Sequence, residues 1–135
     1  MRVLRTETHS LRDQSEIVGA RQVVRKWSAE LGLSLVDQTK IVTAPSEFAR
    51  NTVEYGGGGT MTIELVEGDA LRRGLRVRFE DTGPGIPDLE RALTDGYTSG
   101  NGMGLGLGGA RRLVNDFTIE SRVGEGTRVA ITRWK

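Results

Sequence analysis

Asp81-Thr82-Gly83-Pro84-Gly85-Ile86-Pro87 and Ser99-Gly100-Asn101-Gly102-Met103-Gly104-Leu105-Gly106-Leu107-Gly108-Gly109 are the two stretches whose joint reading decides the fold. The first is entered from Gly74-Leu75-Arg76-Val77-Arg78-Phe79-Glu80, which alternates apolar and charged residues. That is the period of a strand with one buried face. Leu75, Val77 and Phe79 share the face, and parity sends Asp81 to the same side. A carboxylate that continues an inward row is costly to bury without a partner. Two readings stand: an aspartate that turns the strand end into Gly-Pro-Gly, or a pocket-floor acceptor for a ligand amine. On the second reading Gly83 and Gly85, lacking a Cβ, let the backbone pass close to that ligand.

Glycine segments behind an aspartate invite nucleotide-binding readings. A P-loop needs Gly-Lys followed by Ser or Thr, and the chain contains no Gly-Lys. Gly104-Leu105-Gly106-Leu107-Gly108-Gly109 matches G-x-G-x-x-G, but a strand should run straight into that motif. Here Asp95 to Asn101 precedes it and reads as a loop. The third reading uses both segments together and needs an acidic helix upstream.

That helix is Leu35 to Tyr55, with Ile41, Ala44, Phe48, Thr52 and Tyr55 as its inward stripe. Glu47 and Asn51 are four apart and lie one above the other. At about 100° per residue, Asn51 falls just inside the stripe and Glu47 on its shoulder. A half-exposed polar flank would look the same. Pro45 should kink this helix or restart it. Gly56 to Gly59 should end it in a flexible loop.

The chain has 135 residues, enough for one domain with a real core, and the expectation is a single unit over 1–135. A net charge of +1, with Lys and Arg spread along the chain, leaves no nucleic-acid footprint. No long apolar run suggests a signal peptide or membrane span. The absence of cysteine rules out thiol chemistry and is compatible with the cytoplasm. Glycine, 19 residues, is concentrated in Gly56 to Gly59 and Gly96 to Gly109 and so reflects local loops. The single histidine, His9, has no catalytic companion.

The remaining elements follow in order. Arg2 to His9 reads as an edge strand. Leu11 to Leu31 is an amphipathic helix through Ile17, Ala20, Val24, Trp27 and Leu31, capped by Ser10 and ended at Gly32. Thr60 to Val66 and Arg73 to Glu80 form a hairpin. Asp88 to Leu93 is a short helix, Asp95 to Met103 a mobile loop, and Leu105 to Asn115 a third main helix. Phe117 to Val123 and Thr127 to Trp134 are strands joined by the tight Gly124-Glu125-Gly126 turn. The expectation is a two-layer α+β sandwich, a mixed sheet of about five strands covered by about three helices.

A helix with Glu-x-x-x-Asn, a strand into Asp-x-Gly-x-Gly, a glycine-rich lid and a final Gly-x-Gly-Thr, in that order, resemble the GHKL ATPase superfamily and its Bergerat fold. Gyrase, Hsp90, MutL and sensor histidine kinases share that fold. The resemblance runs from about Leu35 to the C-terminus. Ser46-Glu47-Phe48-Ala49-Arg50-Asn51, Asp95-Gly96-Tyr97-Thr98-Ser99 and the lid end look like the RsbT type of bacterial serine/threonine switch kinase. The RsbW and SpoIIAB anti-sigma factors are its cousins.

The resemblance implies ATP and Mg²⁺ as cofactors and assigns roles. Asp81 would accept from the adenine amino group, with Gly83, Gly85 and Ile86 lining the pocket and Thr127 near the base. Gly102, Met103, Gly104, Leu105, Gly106 and Leu107 would wrap the phosphates through backbone N–H groups at a helix start. Asn51 would give a carbonyl oxygen to Mg²⁺. Glu47 would orient or deprotonate the attacking hydroxyl. Glu54 stands where sensor kinases often carry a lysine, so Arg50 is a candidate replacement for that phosphate contact. The implied function is phosphorylation of a STAS-domain partner, with direct activation of a PP2C-type phosphatase as a further implication. The alternatives are an ATP-loaded factor that sequesters a sigma factor or other partner, and a bare ATPase whose lid gates a partner.

Overall fold

A computed structural model describes residues 1–93 and 106–135 of the chain. The elements are β1 (Arg2–Leu11), α1 (Gln14–Leu31), α2 (Leu35–Glu54), β2 (Gly59–Glu67), β3 (Arg73–Asp81), α3 (Leu89–Ala92), α4 (Gly106–Arg111), β4 (Asp116–Arg122) and β5 (Gly126–Trp134). One 3-10 turn, Asp69–Leu71, sits in the β2–β3 connection. The strands form a five-stranded sheet in the order β1-β2-β3-β5-β4. The expected Asp95–Met103 loop lies outside the described residues, as do Thr94, Gly104 and Leu105.

The architecture is the expected α+β sandwich, with one correction. Each strand pairing is antiparallel, so the sheet is not mixed. The reason lies in the crossovers. A single helix between two neighbouring strands returns the chain in the same direction. Between β1 and β2 there are two helices, α1 going down and α2 coming back, so β2 runs opposite to β1.

The core lies between the helices and one face of the sheet. Ile17, Ala20, Val24 and Trp27 of α1 and Ile41, Ala44, Phe48 and Ala49 of α2 meet Met61, Ile63, Leu75, Val77, Phe79, Val129 and Ile131. The Phe48 ring lies 5.9 Å from that of Phe79 and 5.7 Å from that of Phe117, tying α2 to both the centre and the far edge of the sheet. Helical and strand periods in the sequence place these residues correctly because the same period decides which side chains leave water. Tyr55 departs from the expected stripe. It is the C-cap of α2 and 41% exposed, because the helix has run past the apolar patch by then. Pro45 does not restart the helix, which continues on both sides of it.

Helix ends follow local chemistry. Gly32 ends α1 in the left-handed conformation at φ 86°, as expected. Its start is later than expected: β1 continues to Leu11, fully buried, and Asp13 takes the cap from Ser10 by accepting the Glu16 N–H at 3.1 Å. Ser34 caps α2 by accepting from the Asp37 N–H at 3.1 Å. Asp37 in turn accepts from Arg133 Nη2 of β5 at 2.6 Å, so the first turn of α2 is fastened to the sheet. That hydrogen bond holds the Asp37 carboxyl below the ordinary aspartate range, against the effect of partial burial, with the Arg133 charge and the Ser34 bond adding to it.

Two outcomes follow from this packing. Phe48→Ala removes the ring shared by three elements and should cost about 3–5 kcal/mol of stability in denaturant titration. Asp37→Asn should lower the melting temperature at neutral pH. Because the folded-state pKa of Asp37 is depressed, its contribution is complete above the ordinary aspartate value and fades as pH falls below about 4. The gap between wild type and variant should therefore shrink in melting curves recorded toward pH 2–3; a gap independent of pH would contradict the assignment.

Candidate functional site

Helix α2 presents Glu47, Arg50 and Asn51 on its half-buried flank, between the buried Phe48 and Thr52. Three-residue spacing puts Arg50 beside Glu47. Arg50 Nη2 donates to Glu47 Oε2 at 2.7 Å, with the Glu47 side chain only 13% exposed. A contact at that distance between charged groups is a strong hydrogen bond. In this state Arg50 is committed to Glu47. Glu54, the departure noted in the sequence, is exposed and accepts from Gln14 Nε2 at 3.4 Å, on the side of α1. The Asn51 carbonyl oxygen receives the Tyr55 N–H at 2.9 Å and the Gly56 N–H at 3.1 Å, which closes the helix and takes the chain past the end of β3 into β2.

Asp81 ends β3 on the face of Leu75, Val77 and Phe79 and is half-buried there. Its Oδ1 accepts the Gly83 N–H at 3.0 Å, the turn that a strand-end aspartate makes. The carboxylate also lies against Gly56: a Cβ on Gly56 would come within 2.5 Å of Asp81 Cγ. The backbone of Gly83 crosses Gly56 so closely that a Cβ would meet the Gly56 carbonyl oxygen at 2.5 Å. Gly85, at φ +78°, has the Arg122 carbonyl oxygen 2.4 Å from its would-be Cβ. The two glycines of Asp-x-Gly-x-Gly are thus demanded by the protein's own chain, whether or not a ligand also approaches.

Thr127 pairs with Asp81 across β3 and β5 and with Ser121 across β5 and β4. It is 5% exposed, buried for a threonine. Ser121 was not singled out in the sequence. Its Oγ accepts the Ile86 N–H at 2.7 Å and lies 3.0 Å from Thr127 Oγ1. Ile86 is half-buried against the core. A lone serine in an alternating strand carries no signal of this; only the β4–β5 register reveals it. Gly56 was likewise read as a loop residue rather than a neighbour of Asp81.

The glycine-rich segment is described only from Gly106, the first residue of α4. Gly102, Met103, Gly104 and Leu105 lie outside the described residues. The Leu107 side chain belongs to the core, 8% exposed, so any ligand contact there would come from its backbone.

A cleft of about 460 Å³ opens at this end of the sheet, lined by Gly58, Gly59, Asp81, Gly126 and Thr127 together with Glu80 and Arg128. Thr60, Glu80, Arg128, Glu120 and Arg122, which also line it, lie by strand parity on the open face, so most of the cleft is on the side of the sheet away from the helices. Glu47 and Asn51 do not line it.

The residues present can be weighed against a divalent cation. Among the described residues no group of three or more His, Cys, Asp or Glu forms a cage. Mg²⁺ bound with a nucleotide does not need one: it takes one or two protein oxygens beside phosphates and waters. The Asn51 carboxamide, half-buried and forming no hydrogen bond among the described residues, fits that demand. No described helix is long and apolar enough to cross a membrane.

Residues 36–135 match the family described as histidine kinase-, DNA gyrase B-, and HSP90-like ATPase. The chain is 44% identical to the serine/threonine-protein kinase RsbT of Bacillus subtilis (strain 168) over 88% of its length and 89% of that protein's. It is 26% identical to the anti-sigma F factor of Thermoanaerobacter sp. (strain X514), over 85% of this chain and 82% of that one. Among solved structures, the RsbU and RsbW domains of Rv1364c from Mycobacterium tuberculosis align with a TM-score of 0.65 at 23% identity, over 96% of this chain and 32% of that longer one. The mycobacterial sensor histidine kinase MprB aligns with a TM-score of 0.55 at 18% identity, over 96% and 97%. These two share the fold. With its family match over residues 36–135 and its likeness to RsbT over most of both chains, the chain belongs to the histidine kinase-, DNA gyrase B-, and HSP90-like ATPase family.

Proposed function

We propose that the protein is a Mg-ATP-dependent serine/threonine kinase of a partner-switching pathway, with a STAS-domain protein as substrate. The observation that carries this reading is Glu47 one turn before Asn51 on the half-buried flank of α2, whose end is joined through Gly56 to Asp81. The likeness to RsbT over nearly the whole chain supports it.

In this reading Asp81 accepts from the adenine amino group, with Gly83, Gly85 and Ile86 around the base. Asn51 lends a carboxamide oxygen to the metal. A Mg²⁺ held there with ATP would supply positive charge against the phosphate oxygens. Glu47 orients the incoming serine or threonine hydroxyl and takes its proton. Arg50, which uses Nη2 toward Glu47, has further N–H donors that could reach a phosphate while the pair stays together. The backbone of Gly102 to Leu107 would supply N–H groups to the phosphates. The enzyme would act in the cytoplasm, where ATP is supplied, and could extend its action by binding a PP2C-type phosphatase directly.

A second reading, a partner-sequestering factor of minor catalysis acting on a sigma factor or its antagonist, draws on the anti-sigma F factor relatives.

Asp81→Asn should weaken ATP binding about tenfold to a hundredfold in calorimetry, the loss of a hydrogen bond to a charged group being about 1.5–3 kcal/mol. Unchanged affinity would remove Asp81 from the base site. Glu47→Gln should leave ATP affinity intact and slow phosphotransfer to the STAS partner by about 10². Asn51→Ala should lower both. The measurement pairs ATP affinity with transfer of labelled γ-phosphate: full transfer by Glu47→Gln would exclude it as the base. No transfer by the wild type to any candidate STAS protein would favour the sequestering reading.

A further inference from the structure

The outer face of the helical hairpin carries positive charge that the hairpin itself does not neutralise. Arg21 and Arg25 are exposed and one turn apart on α1, and Lys26 and Lys40 extend the positive surface to either side. Arg21 uses one donor, Nε, toward Ser46 Oγ of α2 at 3.0 Å. Arg25, Lys26 and Lys40 make no side-chain hydrogen bond or ion pair among the described residues. The acids of the two helices are engaged elsewhere: Glu16 with Ser10 and Arg12, Glu30 with Arg5, Asp37 with Arg133, Glu47 with Arg50 and Glu54 with Gln14. The open face of the sheet differs, since Arg76 and Arg78 share Glu64 there. Like charges left side by side in water are tolerated because solvent and salt screen them. A carboxylate brought from outside would meet them without breaking an existing ion pair.

Apolar side chains mark the two ends of this surface. Val18 of α1 is 52% exposed, and Leu35 at the start of α2 is 80% exposed. The Arg21–Ser46 contact sets the alignment of the antiparallel helices. Val18 therefore lies toward the Glu47 end and Leu35 toward the other, with Arg21 and Arg25 between them. At 1.5 Å per residue, about 16 Å of helix separates Leu35 from Ser46. Ser46, which Arg21 holds, immediately precedes Glu47.

We propose that this face of the α1–α2 hairpin is the docking surface for the STAS-domain partner, which meets it with an acidic patch flanked by apolar side chains. This rests on the reading of the chain as a kinase of such a protein. Charge complementarity selects the occupant: cations without partners steer and orient an acidic protein surface, and the apolar ends add contact area. A lipid surface fits poorly, because a helix lying on a membrane needs a continuous apolar face and here charges separate the apolar residues. Nucleic acid fits poorly too. The aromatic residues of the two helices, Trp27 and Phe48, are buried, so no base can stack on them. The site also explains delivery. A partner held here lies beside Glu47, whereas one held on the open face has the whole sheet between its acceptor hydroxyl and that carboxylate.

The test uses the STAS protein to which the wild type transfers γ-phosphate, and measures KM for that protein, kcat and, by calorimetry, ATP affinity. Arg21→Glu combined with Arg25→Glu should raise KM about 10- to 100-fold. It should leave kcat and ATP affinity as they are and remove most of the salt dependence of KM. Leu35→Ser should raise KM about tenfold. Arg25→Glu alone disturbs no hydrogen bond or ion pair of its side chain, so it keeps the fold and should still raise KM. Changing an acidic residue of the STAS patch to arginine should restore what Arg25→Glu loses. Unchanged KM in the double variant and in Arg25→Glu overturns the proposal and leaves the kinase reading standing. A loss of kcat or ATP affinity with KM unchanged overturns it as well. If the wild type phosphorylates no STAS protein, the kinase reading fails by itself, and calorimetric binding of the same proteins decides this surface. Weakening by Arg25→Glu then upholds it, and absent or unweakened binding overturns it. Binding to phosphatidylglycerol vesicles that Arg25→Glu abolishes, with KM unchanged, would assign the face to a membrane and overturn it.

Discussion

The register between β3 and β5 is the constraint on which the candidate site depends. Gly74 opposite Trp134 at one end and Asp81 opposite Thr127 at the other fix a continuous antiparallel ladder through the middle of the sheet. A slip of one residue would send the whole inward row of β3 to the open face. It would bury Arg76 and Arg78 and carry Asp81 away from Thr127. Leu75, Val77 and Phe79, all essentially inaccessible to water, prevent that slip. The free energy that holds the core together is thus also what aligns the polar groups at its end.

The open face shows the opposite solution. There Glu64, only 5% exposed, is held between Arg76 at 2.8 Å and Arg78 at 3.1 Å. Neighbouring charges of opposite sign cover a face that no helix covers. Pairs that share a buried carboxylate are costly to break, because a lone charge would be left behind. Their value here is that strands with one charged face and one apolar face have a single way to lie against the helices.

Much of this was legible in the sequence. Period-two alternation located β2, β3, β4 and β5, and the 3.6-residue period located α1 and α2, because the burial that stabilises the fold is what spaces the residues. The four motifs identified the fold through their order rather than through any one of them. What the sequence could not show depends on contacts between distant segments. Ser121 meets Ile86 only after β4 has docked on β5. Gly56 meets Asp81 only after α2 has closed. The Glu47–Arg50 pair was available from three-residue spacing alone, yet spacing does not say whether an arginine reaches back to a glutamate or out to a ligand. Asp13 outbid Ser10 as the cap of α1 because Leu11 has to reach the core, a demand that propensity does not see.

The two-helix crossover between β1 and β2 also has a bearing on how the chain is made. β1 leaves the ribosome before its partner β2, which follows only after α1 and α2 have emerged; Thr8 and Thr62, which touch across the pair, are 54 positions apart. Closing a loop of that length costs entropy that local contacts do not repay. The helical hairpin, whose contacts are local, can form while β1 still lacks its neighbour. At that stage β1 is a strand with both edges unpaired, rescued by Arg2, Arg5, Glu7 and His9, polar or charged residues that discourage pairing with other chains. The mature sheet leaves one edge of β1 open. The charges that decorate it therefore guard the nascent chain as well as the finished protein.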